Sequence, residues 1–135
     1  MIAVDTNVIV RLVTADDPAQ TETAREVFNA GDLWICKTVL LETEWVLRYS
    51  YKLSRDSVGK ALRGLLGNRQ LQVEDRGAVL EALRLYDQGL DFADALHLAS
   101  SGEADRFVTF DRPLWNRTRH LEGGSAVHLL KGSSP

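Results

Sequence analysis

Short apolar runs at residues 2–4, 33–36, 71–73, 106–109 and 126–130 alternate with longer stretches of helical periodicity, and this alternation restricts the chain most. Such runs have the length of buried strands and are too short for helices. Parallel strands need long crossovers, and up to two helical patterns stand between successive runs here. The prediction is an α/β domain, a central mostly parallel sheet of about five strands with helices on both faces. Ligands of such sheets bind beyond the carboxyl ends of the strands.

Local signals place the helices. Asn7-Val8-Ile9-Val10 begins the first. Asp17-Pro18 is an N-cap followed by proline at the first helical position, and that helix should run to Ala30 before Gly31. Thr38 is expected to cap a helix over residues 38–51 and Ser54 another over 54–68. Asp75 and Asp91 should open helices over 75–88 and 91–102, the first closed by Gly89. The stretch carrying Arg112, Arg117 and Arg119 reads as a loop that is either solvated or in contact with phosphate. No repeat, linker or low-complexity segment interrupts the chain, which predicts one domain over residues 1–130 and a frayed tail over 131–135.

Composition excludes several classes. With 44% hydrophobic and 26% charged residues in 135, the chain is neither disordered nor a coiled coil. No apolar run approaches the ~20 residues of a membrane span, and the opening residues lack the basic region and long apolar core of a signal peptide. A cytoplasmic protein without a membrane partner is expected. The single cysteine, Cys36, rules out an intrachain disulfide and is expected in the core. The net charge of −3 is not that of an overtly nucleic-acid-binding domain. Its distribution is uneven, however: residues 48–69 hold six basic side chains against the one acid Asp56, while residues 74–105 hold eight acids and two arginines. Arg48, Lys52, Lys60, Arg63 and the more distant Arg112 could follow a phosphate backbone; the competing reading is a solvated or protein-contacting face.

Four carboxylates occupy positions that stability alone does not favour. Asp5 and Asp111 directly follow strand-like runs. Glu42 lies in a helix with Thr38, Val39, Trp45, Val46 and Tyr49 as neighbours and no base among them. Glu44, by contrast, has Arg48 four residues on, the geometry of a surface ion pair. Asp94 stands in the first turn of the helix that Asp91 caps. Each has a structural alternative: capping for Asp5 and Asp91, a turn for Asp111, a solvated edge for Glu42, and a favourable helix dipole for Asp94. Brought together, the four would repel one another, raising their pKa values or requiring a divalent cation. Such a set points to Mg²⁺-dependent phosphoryl chemistry. The three histidines are too dispersed for a zinc site.

Val4-Asp5-Thr6-Asn7, Leu41-Glu42, Asp91-Phe92-Ala93-Asp94-Ala95-Leu96-His97 and Val108-Thr109-Phe110-Asp111-Arg112 together resemble, in order and spacing, the motifs of PIN-domain ribonucleases, and most closely the VapC-type toxins of toxin–antitoxin modules. The resemblance implies a three-layer α/β/α sandwich and endonucleolytic cleavage of RNA by Mg²⁺ or Mn²⁺. It assigns Asp5, Glu42, Asp94 and Asp111 to the acidic, metal-binding site and Thr6, Asn7 and Thr109 to its polar support. It also implies a homodimer and a small antitoxin whose peptide covers the site. Asp91 is a further acid on the same helix as Asp94.

Two other readings compete. An aspartyl-phosphate phosphatase would use Asp5 as nucleophile, but Asn7 stands where such enzymes carry a second Asp. A catalytically silent PIN-like domain binding RNA or protein would not need all four acids, and a receiver-like switch should show paired acids after its first strand, which this chain lacks.

Overall fold

The computed structural model describes residues 1–121 and 126–132, and the chain divides into two compact units, Met1–Arg76 and Gly77–Pro135. Among the described residues there are seven α-helices and five strands, and every strand pairing is parallel. No helix among them is long and apolar enough to cross a membrane.

The first unit runs β1 (Ile2–Ala3), α1 (Thr6–Thr14), α2 (Pro18–Ala30), β2 (Leu33–Ile35), α3 (Lys37–Tyr49), α4 (Arg55–Leu66) and β3 (Leu71–Val73). Its sheet has the order β1-β2-β3, with Leu33 opposite Leu71 and Ile35 opposite Val73. Those four side chains are buried, whereas Gln72 between them is exposed, the two-residue alternation of a strand with one face on a core. Ile9, Val10, Phe28, Leu40, Leu47, Val58 and Leu62 supply the apolar stripes of the helices. Asp17 caps α2 by accepting from Gln20 N at 3.1 Å, and Ser54 caps α4 by accepting from Ser57 N at 3.1 Å. At the end of α2, Gly31 has a φ of 81°, a left-handed value that residues with a Cβ rarely adopt.

The start of α3 differs from expectation. Thr38 is the second helical residue and does not cap; the N-cap is Cys36, which makes no side-chain capping bond. Glu74, just beyond β3, supplies the acceptor instead, its Oε1 taking Lys37 N–H at 2.9 Å, while Lys37 Nζ lies 2.8 Å from Asp75. Cys36 is half-buried, its sulfur 3.2 Å from Thr38 Oγ1, and so is not the core residue expected. That contact and the Val39 amide lower its thiol pKa.

The second unit carries α5 (Arg76–Asp87), α6 (Phe92–Ala99), β4 (Phe107–Thr109), α7 (Arg112–Thr118) and β5 (Val127–Leu129). Val79, Ala82, Leu83, Leu85, Tyr86, Phe92, Ala95 and Leu96 are buried, with Tyr86 and Phe92 edge to face at 5.4 Å. Strands β4 and β5 pair from Phe107 opposite Val127 to Thr109 opposite Leu129, and α7 packs on β5. The loop expected after Asp111 is therefore helical: Asp111 Oδ1 accepts from Leu114 N at 3.0 Å, and Pro113 lies in the first turn.

The expected sheet of about five strands is corrected by the pairing. Five strands form, but hydrogen bonds join them as one sheet of three and one of two. Each strand has only two or three residues, so each ladder has few bonds; both residues of β1 are paired with β2. Of the tail expected to fray, residues 133–135 lie outside those described.

Candidate active site

Asp5 stands where β1 gives way to α1. Buried Val4 fixes the chain before it, and the exposed Asp5 caps the helix, Oδ1 accepting from Thr6 N at 2.7 Å. A carboxylate has about four lone-pair sites, so capping leaves it capacity for a ligand. Thr6 is only 5% exposed, and its Oγ1 has no hydrogen-bond partner among the described residues. Buried hydroxyls are nearly always satisfied, which marks this atom as one that a bound water or ligand would complete. Asn7 is exposed on the next position.

On α3 the two glutamates exchange the places expected of them. The buried stripe is Leu40, Thr43, Glu44 and Leu47, and Glu44 is 2% exposed. Its pair with Arg48 is present but is not a surface pair: Arg48 Nε donates to Oε2, a second nitrogen lies 3.4 Å from Oε1, and the guanidinium is largely covered. Glu42 lies on the other side, exposed with Trp45 and Tyr49. The helix carries two apolar stripes, and the one bearing Glu42 faces solvent. Burial therefore gives no reason for Glu42 to need a cation; its assignment rests on the motif Leu41-Glu42 alone. Helices α1 and α3 pack together, which places Asp5 and Glu42 on neighbouring elements of the first unit.

In the second unit α6, β4 and α7 bring three aspartates into one electrostatic neighbourhood. Asp91 caps α6, its Oδ2 accepting from Asp94 N at 3.3 Å. Asp94, half-buried in the first turn, has its pKa raised, first by burial and then by the negative charges of Asp91 and Asp111, with His97 and Arg117 opposing. Asp111 is exposed, and its backbone N–H donates to Thr109 Oγ1 at 2.9 Å, so Thr109 fixes the turn that presents the carboxylate. Asp91 thus acts on Asp94 both as a cap and as a charge. Its proximity was legible in the three-residue spacing; that of Arg117 to Asp94 was not, because it depends on α7.

The basic side chains divide by environment. Lys52, Lys60, Arg63 and Arg112 are exposed, with Lys60 3.2 Å from Asp56 in a solvated pair. Arg48 is engaged by Glu44 and also lies 4.7 Å above the Tyr49 ring.

The carboxylates of Asp91 and Asp111 lie nearby, with His97 and Arg117 opposing their charge; carboxylate oxygens suit a hard divalent cation. Among the described residues no group of three or more His, Cys, Asp or Glu forms a ready-made metal cage. Mg²⁺ does not require one, since it keeps several waters and is commonly held by one or two carboxylates. Within the second unit, the crowded Asp94 and its acidic neighbours fit that mode of binding.

No curated protein and no solved structure matches the chain significantly. A family model described as PIN domain matches residues 2–120, which include every candidate acid. With nearly the whole chain matched, the protein belongs to the PIN domain family, whose fold is generally that of a metal-dependent nuclease.

Proposed function

We propose that the protein is an endoribonuclease dependent on Mg²⁺ or Mn²⁺, using Asp5, Glu42, Asp94 and Asp111, and the toxin of a VapBC-type module. The observation that carries this reading is the crowding of Asp94 by Asp91 and Asp111 within a chain of the PIN domain family. A bound divalent cation supplies positive charge to the phosphodiester and makes water a stronger nucleophile. Asp94 and Asp111 present carboxylate oxygens from helix starts, and the Leu114 N–H fixes the direction of the Asp111 carboxylate. Asp91 keeps the first turn of α6 in place and adds the charge that favours cation binding over a proton on Asp94. Thr6, Asn7 and Thr109 support the acids, and Arg112 and Arg117 offer positive charge to phosphate oxygens. Water, not a side chain, would attack phosphorus and displace the 3′ oxygen, which takes up a proton; the products are then a 5′-phosphate and a 3′-hydroxyl.

The resemblance to VapC-type toxins further supports a cytoplasmic homodimer held inactive by a small antitoxin. The testing experiment is cleavage mapping on total RNA. Wild-type protein should cut RNA in millimolar Mg²⁺ or Mn²⁺, stop on addition of EDTA and resume on adding back metal. Asp94→Asn, which keeps size and removes the ligand charge, should lose at least about a hundredfold in rate, since even outer-shell changes at metal sites cost about 10- to 100-fold. Activity that survives EDTA, or an undiminished Asp94→Asn protein, would leave an RNA- or protein-binding domain as the reading.

A further inference from the structure

Strand β3 ends the sheet of the first unit: it pairs with β2 on one side and, among the described residues, with no strand on the other. The register tells which of its backbone groups are engaged. Leu33 N donates to Gln70 O at 3.0 Å and Glu74 N to Ile35 O at 2.9 Å, with Leu33 opposite Leu71 and Ile35 opposite Val73. In a parallel ladder of this phase Gln70, Gln72 and Glu74 bond to β2, so the backbone groups of Leu71 and Val73 point away from it. The Leu71 N–H is taken by Asn68 O at 3.1 Å. The Leu71 carbonyl and both backbone groups of Val73 therefore form an edge on which a further strand can pair.

A groove of about 470 Å³ runs along this edge. Leu71, Gln72 and Val73 all border it, and successive strand residues point to opposite faces, so a groove that touches three in a row lies along the edge and not on one face. Half-buried Trp34, opposite Gln72 in the register, and Leu66 at the end of α4 supply apolar wall. The turn into the strand is fixed in advance, because Asn68 Oδ1 accepts from Gln70 N at 2.9 Å while its carbonyl holds Leu71. The two charges that border the groove are positive: exposed Arg69 precedes the strand, and exposed Arg76 follows it and reaches back to Leu66 O at 2.8 Å. The acids after the strand turn elsewhere, Glu74 to the Lys37 N–H and Asp75 to Lys37 Nζ.

We infer that the β3 edge is a docking site for an extended, acidic peptide segment of a partner protein, which adds as a fourth strand to the three-stranded sheet of the first unit. This surface is separate from the candidate acids, and the inference does not depend on the nuclease reading. Backbone pairing to Leu71 and Val73 supplies affinity for any extended chain, and the flanking arginines select carboxylates. A strand of only three residues offers few bonds, which guards the edge against indiscriminate pairing. The arginines therefore decide which segment stays.

The test titrates the whole chain with three fluorescein-labelled peptides: one of alternating glutamate and valine, its lysine and valine counterpart, and the acidic peptide with every backbone nitrogen methylated. Amide hydrogen exchange at Gln72 and Val73 is followed by NMR. The acidic peptide should bind and slow exchange of the Val73 N–H, leaving Gln72, already in the ladder, unchanged. The lysine and methylated peptides should not bind. Arg69→Glu should weaken the acidic peptide by at least about fivefold, the upper value of one exposed ion pair, and melt with the wild type because the side chain is exposed. Arg76→Gln should weaken it as well. No binding of the acidic peptide at millimolar concentration overturns the inference, as does an affinity indifferent to Arg69. Equal binding of the methylated peptide reduces the site to charge and overturns strand addition, and equal binding of the lysine peptide overturns the acidic partner. A wild-type dimer by sedimentation, with the Val73 N–H already protected before any peptide is added, assigns the edge to a second copy of the chain and also overturns it.

Discussion

Acids in the first unit mostly face cations, and the acids around α6 face one another. Glu44 is held by Arg48, Asp75 by Lys37, Asp32 by the chain's amino group, and Asp16 by Arg11 and the Tyr51 hydroxyl. The Tyr51 hydroxyl, first among several contacts, lowers the Asp16 pKa. Asp94 moves the other way, because burial and two carboxylates disfavour its charge. The second unit is not acid-crowded throughout, since Glu81 forms an ordinary pair with Arg84 that lowers its pKa. The same residue type is thus shifted in opposite directions by what it faces. An acid that already has a cation stabilises structure, whereas crowded acids create a place for one to bind.

The largest expected effect tests the structural side of that contrast. Arg48→Ala removes the guanidinium from a carboxylate that is 2% exposed and should destabilise the protein by about 3 kcal/mol, as breaking a buried pair does. Glu42→Gln, two residues earlier but in solvent, should stay within about 0.5 kcal/mol of wild type and affect only RNA cleavage. Urea denaturation and a cleavage assay on both variants separate the roles. A stable, inactive Arg48→Ala protein beside an active Glu42→Gln would transfer the catalytic glutamate from position 42 to position 44.

What could be read in advance followed the range of the interactions. Asp17-Pro18, Ser54 and Asp91 announce helix starts because a cap is satisfied within three residues, and all three form. The start of α3 was illegible because its acceptor, Glu74, lies 37 residues away. Helix α7 was legible in principle, since Asp111-Arg112-Pro113 carries the same cap-and-proline signal as Asp17-Pro18, but arginines in the segment gave it the look of a loop. Glu42 shows the limit of periodicity. With Val39, Trp45, Val46 and Tyr49 on one side and Leu40, Leu47 on the other, α3 has two apolar stripes, and only tertiary packing decides which one is buried. At the candidate site, the sequence order proposed Asp94 and Asp111, and the fold adds the repulsion of Asp94 by the charge of Asp111.

A smaller effect separates capping from charge at Asp91. Asp91→Ala removes the oxygen that accepts from Asp94 N, so thermal melting should report a loss of about 1 kcal/mol. Asp91→Asn keeps an acceptor and removes one of the charges that raise the Asp94 pKa, so it should melt close to wild type. If both variants lose equal stability, the charge of Asp91 is itself stabilising, and the contrast between paired and crowded acids fails at α6.

The smallest effect is a pH dependence, because Asp94 is only half-buried and water screens part of its repulsion. Its folded pKa lies above the ordinary Asp value near 3.8, so between the two pKa values the native state binds more protons than the unfolded chain. Stability from this group therefore falls as pH rises through that window; above it Asp94 is charged and destabilising, and below the unfolded pKa the penalty is absent. Asp94→Asn should accordingly melt above wild type at pH 7, by a margin that shrinks on acidification through the window and vanishes below its lower edge. Millimolar Mg²⁺ at pH 7 should raise the melting temperature of wild type and close the gap, since a cation that binds only the native state stabilises it by mass action. Melting curves at several pH values, with and without Mg²⁺, give both results. A margin that is constant with pH would show that the substitution acts through packing and not through charge, and a gap that Mg²⁺ leaves open would remove Asp94 from the cation site.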